Sequence, residues 1–206
     1  MNCPACDTRL IDGTGSIYVC CDDCGSIIAT RSITDLIETH NDSPDQRNTD
    51  KLHQVRLDRA EKAMDGVPID NVIDFGCGKS QDFTRYLKNI DYIRVTPIDI
   101  DTPIQLDDLI HEHSLYDVCF MVEVIEHLKS PSYELSIIRQ ALRPDGVVYI
   151  ETTFADSIES LPHPYVDPKI GHCTILSKKG LTLLAKEIGY LVEFLNDNVA
   201  ILKKAG

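Results

Sequence analysis

Basic residues are scarce in this sequence: 20 lysines and arginines stand against 33 aspartates and glutamates, for a net charge of −13. A field of that sign repels phosphate backbones and anionic membrane surfaces, which disfavours nucleic acid as a partner. The sequence also lacks any apolar run near the roughly 20 residues that cross a bilayer. We therefore expect no membrane-spanning segment.

The first residues, Met1-Asn2-Cys3-Pro4, lack the basic and apolar regions of a signal peptide. This absence predicts a cytoplasmic protein, in which cysteines stay reduced. The eight cysteines are then better explained as metal ligands or core residues than as disulfides. With 206 residues, 43% of them hydrophobic, the chain can bury one good-sized core and a small appendage.

Cysteines are concentrated at the start of the chain, where four of them form two Cys-x-x-Cys pairs. The four are Cys3, Cys6, Cys21 and Cys24. Two such pairs predict a tetrahedral zinc site with four thiolate ligands, which leaves no open coordination position and makes the ion structural. Residues 1–30 are therefore predicted to form a zinc ribbon with a turn at 12–15. Cys20 has the wrong spacing and is interpreted as a bystander or an occasional substitute ligand.

Two other interpretations of the cysteine cluster are weaker. A redox pair needs a single Cys-x-x-Cys beside a βαβ unit, whereas these pairs precede any such unit. A ribbon that binds nucleic acid needs basic residues, but residues 1–30 carry one arginine against four acids. A ribbon that makes a protein contact, or that forms the substrate side of a cleft, fits this charge better.

Residues 31–66 are predicted to be a helical linker and cap, with helices at 32–40 and 50–65. The second helix is amphipathic. Its inner face is predicted to contain Leu52, Val55, Arg59 and Ala63.

From residue 71 onward, strand-like apolar runs alternate with helical patterns. Strands are predicted at 72–75, 92–98, 116–122 and 146–153, with a closing hairpin at 190–195 and 199–203. This alternation predicts a doubly wound, mostly parallel α/β sheet over residues 67–206, to which the hairpin adds one antiparallel strand.

The most informative stretch is Asp74-Phe75-Gly76-Cys77-Gly78, which directly follows the first strand of the alternating region. Glycines at such a strand-to-helix turn allow backbone N–H groups to approach a ligand closely. A dinucleotide fingerprint requires a third glycine where Gln81 stands, so the pyrophosphate pattern fails. What remains resembles motif I of the class I S-adenosylmethionine (SAM)-dependent methyltransferases.

Further motifs extend this resemblance to methyltransferase family 23 over about two thirds of the chain. They are Glu123-x-x-Glu126-His127-Leu128, Leu142-Arg143-Pro144-Asp145-Gly146, and His172 with the downstream Ser177-x-x-Gly180-Leu181. The resemblance implies a Rossmann-like, seven-stranded sheet and a SAM cofactor. It also implies that Asp74, Gly76 and Gly78 form the cofactor loop and that Asp99, 25 residues after Asp74, accepts the ribose hydroxyls.

Other site residues remain open between alternatives. The acid that the family often supplies for the adenine amino group is assigned to Asp107, with Asp108, or no such acid in this chain, as the alternatives. Glu123 is either a wall of the cofactor pocket or an acid at a helix N-terminus, where the helix dipole favours it. Ser80 replaces a third glycine of motif I, which predicts a changed pocket near the methionine end.

The resemblance implies methyl transfer to a small-molecule acceptor. A hydroxyl or ammonium acceptor needs a base, for which histidine suits neutral pH. We place His172 first, with His127 and His163 as alternatives, whereas a thiol or carbanion acceptor would need none. Two further functions stay open: a SAM-binding adaptor that acts through the ribbon, and a nicotinamide-dependent oxidoreductase, which Gln81 disfavours.

Overall fold

The computed structural model of this protein describes residues 1–10, 17–30, 49–100, 102–110, 115–161, 163–166 and 170–205. The predicted turn at 12–15 and the predicted helix at 32–40 lie outside the described residues. No helix in the described residues is long and apolar enough to cross a membrane.

The described part of the chain contains nine strands and four α-helices. The strands are β1 Tyr18–Cys20, β2 Ile27–Ala29, β3 Asn71–Phe75, β4 Arg94–Ile98, β5 Tyr116–Val122, β6 Leu142–Glu151, β7 Thr174–Ile175, β8 Tyr190–Phe194 and β9 Val199–Lys204. The helices are α1 Thr49–Ala63, α2 Asp82–Lys88, α3 Pro131–Ala141 and α4 Lys178–Glu187.

The central sheet has the strand order β4-β3-β5-β6-β9-β8. Pairs among β3, β4, β5 and β6 are parallel, and β9 runs antiparallel to both of its neighbours. The prediction of a mostly parallel sheet with one antiparallel strand is confirmed. The described residues supply six strands to this sheet rather than seven. Where a further strand would lie, Leu106–Ile110 form a 3-10 turn, in which Leu109 is buried.

Both faces of the sheet are covered by helices, as a doubly wound fold requires. Alternating residues of β5 separate the two cores: Val118 and Phe120 pack with the apolar residues of α1 and α2. Cys119 and Met121 pack with those of α3 and α4. The strands are therefore apolar on both sides, which is why their sequences are continuous apolar runs.

The predicted inner face of α1 is confirmed at Ala63, which is buried, and wrong in the first half of the helix. Leu52 and Val55 are 45% and 40% exposed, whereas His53 and Arg56 are buried together with Leu57. The reason is an ion pair: the Arg56 guanidinium meets the carboxylate of Glu151 at the end of β6. Pairing allows a polar face of α1 to turn inward.

The ribbon shares a sheet with the rest of the chain. β2 pairs antiparallel with β1 and with β7, so the order is β1-β2-β7. The hydroxyl of Ser177 caps α4 by accepting from the N–H of Gly180, and it also donates to the carbonyl of Cys24. The ribbon is thus fastened to the start of α4, and a domain boundary at residue 30 remains a prediction.

Candidate functional site

The four predicted zinc ligands meet in one cluster. The Sγ atoms of Cys3 and Cys24 lie 3.6 Å apart, as do those of Cys6 and Cys21, and all four atoms lie within 4.8 Å of one another. A tetrahedral zinc with Zn–S bonds of about 2.3 Å would separate its sulfurs by about 3.8 Å. The donor set and its spacing therefore fit a structural zinc ion.

Cys20 lies outside this cluster. Its Sγ contacts the backbone carbonyls of Gly25 and Asp156 at 3.5 and 3.7 Å. The interpretation of Cys20 as a bystander thus agrees with its position.

The glycine loop after β3 is held from two sides. The N–H groups of Gly76 and Cys77 donate to the carbonyl of Ile98, at 2.7 and 3.3 Å. On the other side, a Cβ built on Gly76 would lie only 2.2 Å from Cγ2 of Val124. Gly76 and Gly78 also have φ angles of +77° and +65°, a region that L side chains adopt at a cost. Glycine is required here for both space and conformation.

Asp99 is joined directly to this loop. The N–H of Gly78 donates to Asp99 Oδ2 at 2.8 Å, and the N–H of Ile100 donates to Oδ1 at 2.7 Å. Because β3 and β4 are adjacent parallel strands, their carboxyl ends bring the loop and this acid together. Asp99 remains partly exposed, so its carboxylate can receive further donors.

Asp74 is buried beneath the loop, with a relative exposure of 4%. It accepts a hydrogen bond from the Thr84 hydroxyl of α2. Burial raises the pKa of the Asp74 carboxyl to about 6, although the bond from Thr84 opposes that rise. Asp74 therefore joins the end of β3, just before the loop, to α2, which follows the loop.

We expect Asp74→Asn to change how stability depends on pH. The folded pKa of about 6 lies above the ordinary aspartate value of 3.8, so the proton stabilises the folded state, and that contribution is lost as pH rises through 6. Between pH 5 and pH 8 the wild type should lose about 1.4 kcal/mol of unfolding free energy that Asp74→Asn does not lose. Urea unfolding at both pH values measures this difference. Asp91→Asn, at an exposed position, is the control, and an Asp74→Asn profile parallel to wild type would contradict the expectation.

Asp107 lies away from the loop contacts just described. Its Oδ1 accepts a hydrogen bond of 2.8 Å from the hydroxyl of Tyr133 on α3. Asp107 and Asp108 are both exposed on the 3-10 turn. Their assignment to an adenine amino group stays a prediction.

Glu123 follows β5 with a left-handed φ of +53°. Strained backbone of this kind is concentrated at functional sites. Surrounding protein atoms and the carboxylates of Glu126 and Glu151 raise the pKa of Glu123 to about 7, although the side chain as a whole stays exposed. Its N–H donates to the carbonyl of Glu151 at 2.8 Å, which fixes the turn after β5 against the end of β6.

Several polar residues at this edge of the sheet were missed by the sequence interpretation. Arg56 binds both carboxylate oxygens of Glu151, at 2.7 and 3.1 Å. The Tyr149 hydroxyl donates to Glu151 at 2.9 Å, and His53 contacts Arg56 at 3.2 Å. His53 and Arg56 stand three positions apart in α1, on a face that also carries Leu57. Polar residues at this helical spacing were the signal that could have revealed the polar group.

The two predicted histidines lie side by side. The rings of His127 and His172 have centroids 4.7 Å apart, although the residues are 45 positions apart in sequence. The ring of Tyr165 lies 4.1 Å from His172, and its hydroxyl donates to Glu126 Oε1 at 3.0 Å. Glu126 and His172 are buried and His127 is partly buried. The side chain of His163 lies outside the described residues.

The ribbon contacts the segment that carries His172. The Tyr18 hydroxyl of β1 donates to the carbonyl of His172 at 3.1 Å. The N–H of Ala29 in β2 donates to the carbonyl of Cys173 at 3.0 Å, and the N–H of Cys173 donates to the carbonyl of Glu126 at 2.7 Å. The ribbon and the turn after β5 therefore hold this segment between them.

A doubly wound sheet with a glycine loop and an acid at the carboxyl ends of adjacent strands defines a Rossmann-like ligand-binding fold. The family model described as a methyltransferase domain matches residues 34–193. The chain belongs to this methyltransferase family, number 23, as its sequence motifs indicated. Among curated proteins, none matches the sequence.

Solved structures show the same fold at low sequence identity. An O-methyltransferase family protein from Burkholderia thailandensis is similar with a TM-score of 0.56 and 13% identity, over 76% of this chain and 57% of that one. Human N-acetylserotonin methyltransferase in complex with SAM is similar with a TM-score of 0.50 and 13% identity, over 75% of this chain and 54% of that one. A third similar chain comes from a Haloferax volcanii complex of the Trm112 methyltransferase activator with a putative methyltransferase. Its TM-score is 0.53 and its identity 18%, over 82% of this chain and 100% of that one. The chain thus spans little more than half of the first two relatives.

Proposed function

We propose that this chain transfers a methyl group from SAM to a small-molecule acceptor. The observation that carries the proposal is the glycine loop bonded to Asp99 through the N–H of Gly78, within a chain that belongs to a methyltransferase family. A carboxylate at this position can accept both hydroxyls of a ribose, and glycines in the loop allow the adjoining part of the ligand to approach the backbone closely. The human relative in complex with SAM supports the choice of cofactor.

The acceptor lies, in this proposal, on the side of Glu126, His127 and His172. The turn after β5 links the two halves of the site, because Val124 presses against Gly76 while Glu126 lies next to the histidines. Methyl transfer from a sulfonium is an in-line displacement, so the protein mainly aligns the acceptor with the methyl carbon and excludes water. The histidine cluster would take part in removing the proton of a hydroxyl or ammonium acceptor.

Cofactor binding tests the proposal. SAM and its demethylated product should raise the melting temperature of the protein, and NAD should not. Asp99→Asn keeps an oxygen for the N–H of Gly78 but loses the acceptor for the N–H of Ile100 and the charge that strengthens bonds from the ribose, so we expect SAM to bind about 30-fold more weakly by calorimetry. Asp91→Asn is the matched control. If wild type binds NAD but not SAM, the oxidoreductase alternative replaces this proposal.

A protein contact through the ribbon is part of the same proposal. Its support is the Haloferax volcanii neighbour, whose methyltransferase is in complex with an activator protein. SAM binding without turnover on any acceptor would favour the adaptor alternative, in which such a contact is the whole function.

A further inference from the structure

A second group of metal-type ligands lies apart from the four cysteines. Glu126, His127 and His172 each offer one ligand atom, and these atoms lie within 4.8 Å of one another. We propose that these three side chains hold a divalent cation on the acceptor side of the cleft. This proposal goes beyond methyl transfer, because cation binding needs neither cofactor nor acceptor.

The backbone sets the tautomer of both histidines. Nδ1 of His172 lies 2.7 Å from the carbonyl of Tyr165, and Nδ1 of His127 lies 3.3 Å from the carbonyl of Gly171. A carbonyl only accepts, so we assign the proton of each neutral ring to Nδ1, which leaves the lone pair on Nε2. Metal-bound histidines are typically oriented in this way, with the second nitrogen donating to a carbonyl or carboxylate.

Glu126 supplies an independent argument for a cation. The residue is 1% exposed, and within the described residues its Oε2 has no hydrogen-bond partner. Its other oxygen accepts from the Tyr165 hydroxyl at 3.0 Å. A buried carboxylate oxygen without a donor is costly, and a cation beside it would remove that cost.

Tyr165 links the two kinds of ligand. Its hydroxyl holds Glu126 while its carbonyl receives Nδ1–H of His172, and its ring lies 4.1 Å from the imidazole. One residue therefore orients two of the three ligands, as supporting residues of metal sites do.

The donor set selects the class of cation. Two imidazoles and one carboxylate suit a first-row transition ion such as Mn²⁺, Fe²⁺, Co²⁺ or Zn²⁺ better than Ca²⁺, which prefers oxygen ligands alone. The four thiolates of the ribbon favour Zn²⁺, so the two sites differ in the ions they select. Three protein ligands leave coordination positions for an oxygen of the acceptor.

The cation also indicates the acceptor class, a step that rests on the proposed function. A hydroxyl bound to the cation would have a lowered pKa and would lose its proton to water. The new O–C bond would then form as the C–S bond breaks, with the electron pair left on the thioether sulfur. In this arrangement the two imidazoles take part in removing the proton as ligands of the cation and not as bases, and the acceptor is an oxygen nucleophile.

Titration with Mn²⁺ tests the site directly. The chain is first given a single equivalent of Zn²⁺, which the four thiolates bind in preference, and the electron paramagnetic resonance signal of free Mn²⁺ is then followed as this chain is added, without SAM. We expect one saturable Mn²⁺ site per zinc-loaded chain. If wild type takes up no Mn²⁺, or if added SAM or acceptor is required for uptake, the proposal is overturned.

Variants locate the bound ion. Glu126→Gln keeps an acceptor for the Tyr165 hydroxyl but removes the charge, and should weaken Mn²⁺ binding by about 100-fold. His127→Gln, at a less buried position, should do the same and covers the case in which Glu126→Gln does not fold. Glu193→Gln removes one exposed acid from β8 and should bind as wild type does. Equal Mn²⁺ affinity in all folded variants would refute the assignment, whether or not SAM binds.

Discussion

Cys24→Ser should release the zinc ion and lower the free energy of unfolding by about 3 kcal/mol, which corresponds to a fall of about 6–12 °C in melting temperature. Cys24 is buried in the main core beside Cys3, so the loss of the ion leaves polar sulfurs in an apolar region. Without a cation, burial raises the pKa of the Cys3 and Cys24 thiols. In the variant the Cys3 sulfur would then be a neutral thiol, and a site that has lost one of its four thiolates no longer binds a metal strongly.

The same substitution should also lower the proposed methyl-transfer activity. Ribbon strands β1 and β2 bond to the carbonyls of His172 and Cys173, so a loosened ribbon should release the segment that carries His172. Activity is measured well below the melting temperature of the variant, so that unfolding does not contribute to the loss.

Cys20→Ser is the matched control for Cys24→Ser. Its Sγ contacts two carbonyl oxygens and lies outside the four-cysteine cluster, so the variant should keep one zinc per chain by elemental analysis. If Cys24→Ser keeps its zinc and its melting temperature, the four-thiolate site is wrong. If Cys24→Ser loses its zinc but keeps the methyl-transfer activity of the wild type, the ribbon does not position His172.

Local sequence patterns predicted the parts of this molecule that depend on local physics. Alternating apolar runs and helices predicted the doubly wound sheet, because β3 and β5 are covered on both faces and therefore carry mostly apolar residues on both sides. Spacing predicted the cysteine cluster, because a Cys-x-x-Cys turn brings two sulfurs to one ion. The glycine loop was predicted because Gly76 has no room for a side chain.

Contacts between distant segments could not be predicted in the same way. Apolar periodicity assigned Leu52 and Val55 to the inner face of α1, but the ion pair of Arg56 with Glu151, 95 residues away, turned the helix. Similarly, the role of Tyr165 depends on its contacts with Glu126 and His172. No pattern within one element contains such a pairing, because it is decided by the packing of separate elements.

Gly76→Ala should abolish detectable SAM binding, an expected loss of more than about 100-fold in affinity. A Cβ at this position would lie 2.2 and 2.9 Å from the two γ-carbons of Val124, far inside van der Waals contact. The methyl group has to displace either the loop or the turn after β5, and both carry residues of the proposed site. A φ of +77° adds a conformational cost of about 1–2 kcal/mol for alanine. Calorimetry with SAM and urea unfolding measure the two effects separately.

Two further variants separate the steric clash from the backbone strain. Gly66→Ala places alanine at a φ of +85° with nothing within 4 Å of the new Cβ, so it should lose about 1–2 kcal/mol of stability and keep wild-type SAM affinity. Gly76→Ala combined with Val124→Ala removes both γ-carbons that the new methyl would meet, and should recover SAM binding relative to Gly76→Ala alone. Because the two residues are in contact, their effects on binding should be non-additive. Strict additivity would mean that the turn after β5 does not press on the glycine loop, and the link between the cofactor side and the acceptor side of the site would then have to lie elsewhere.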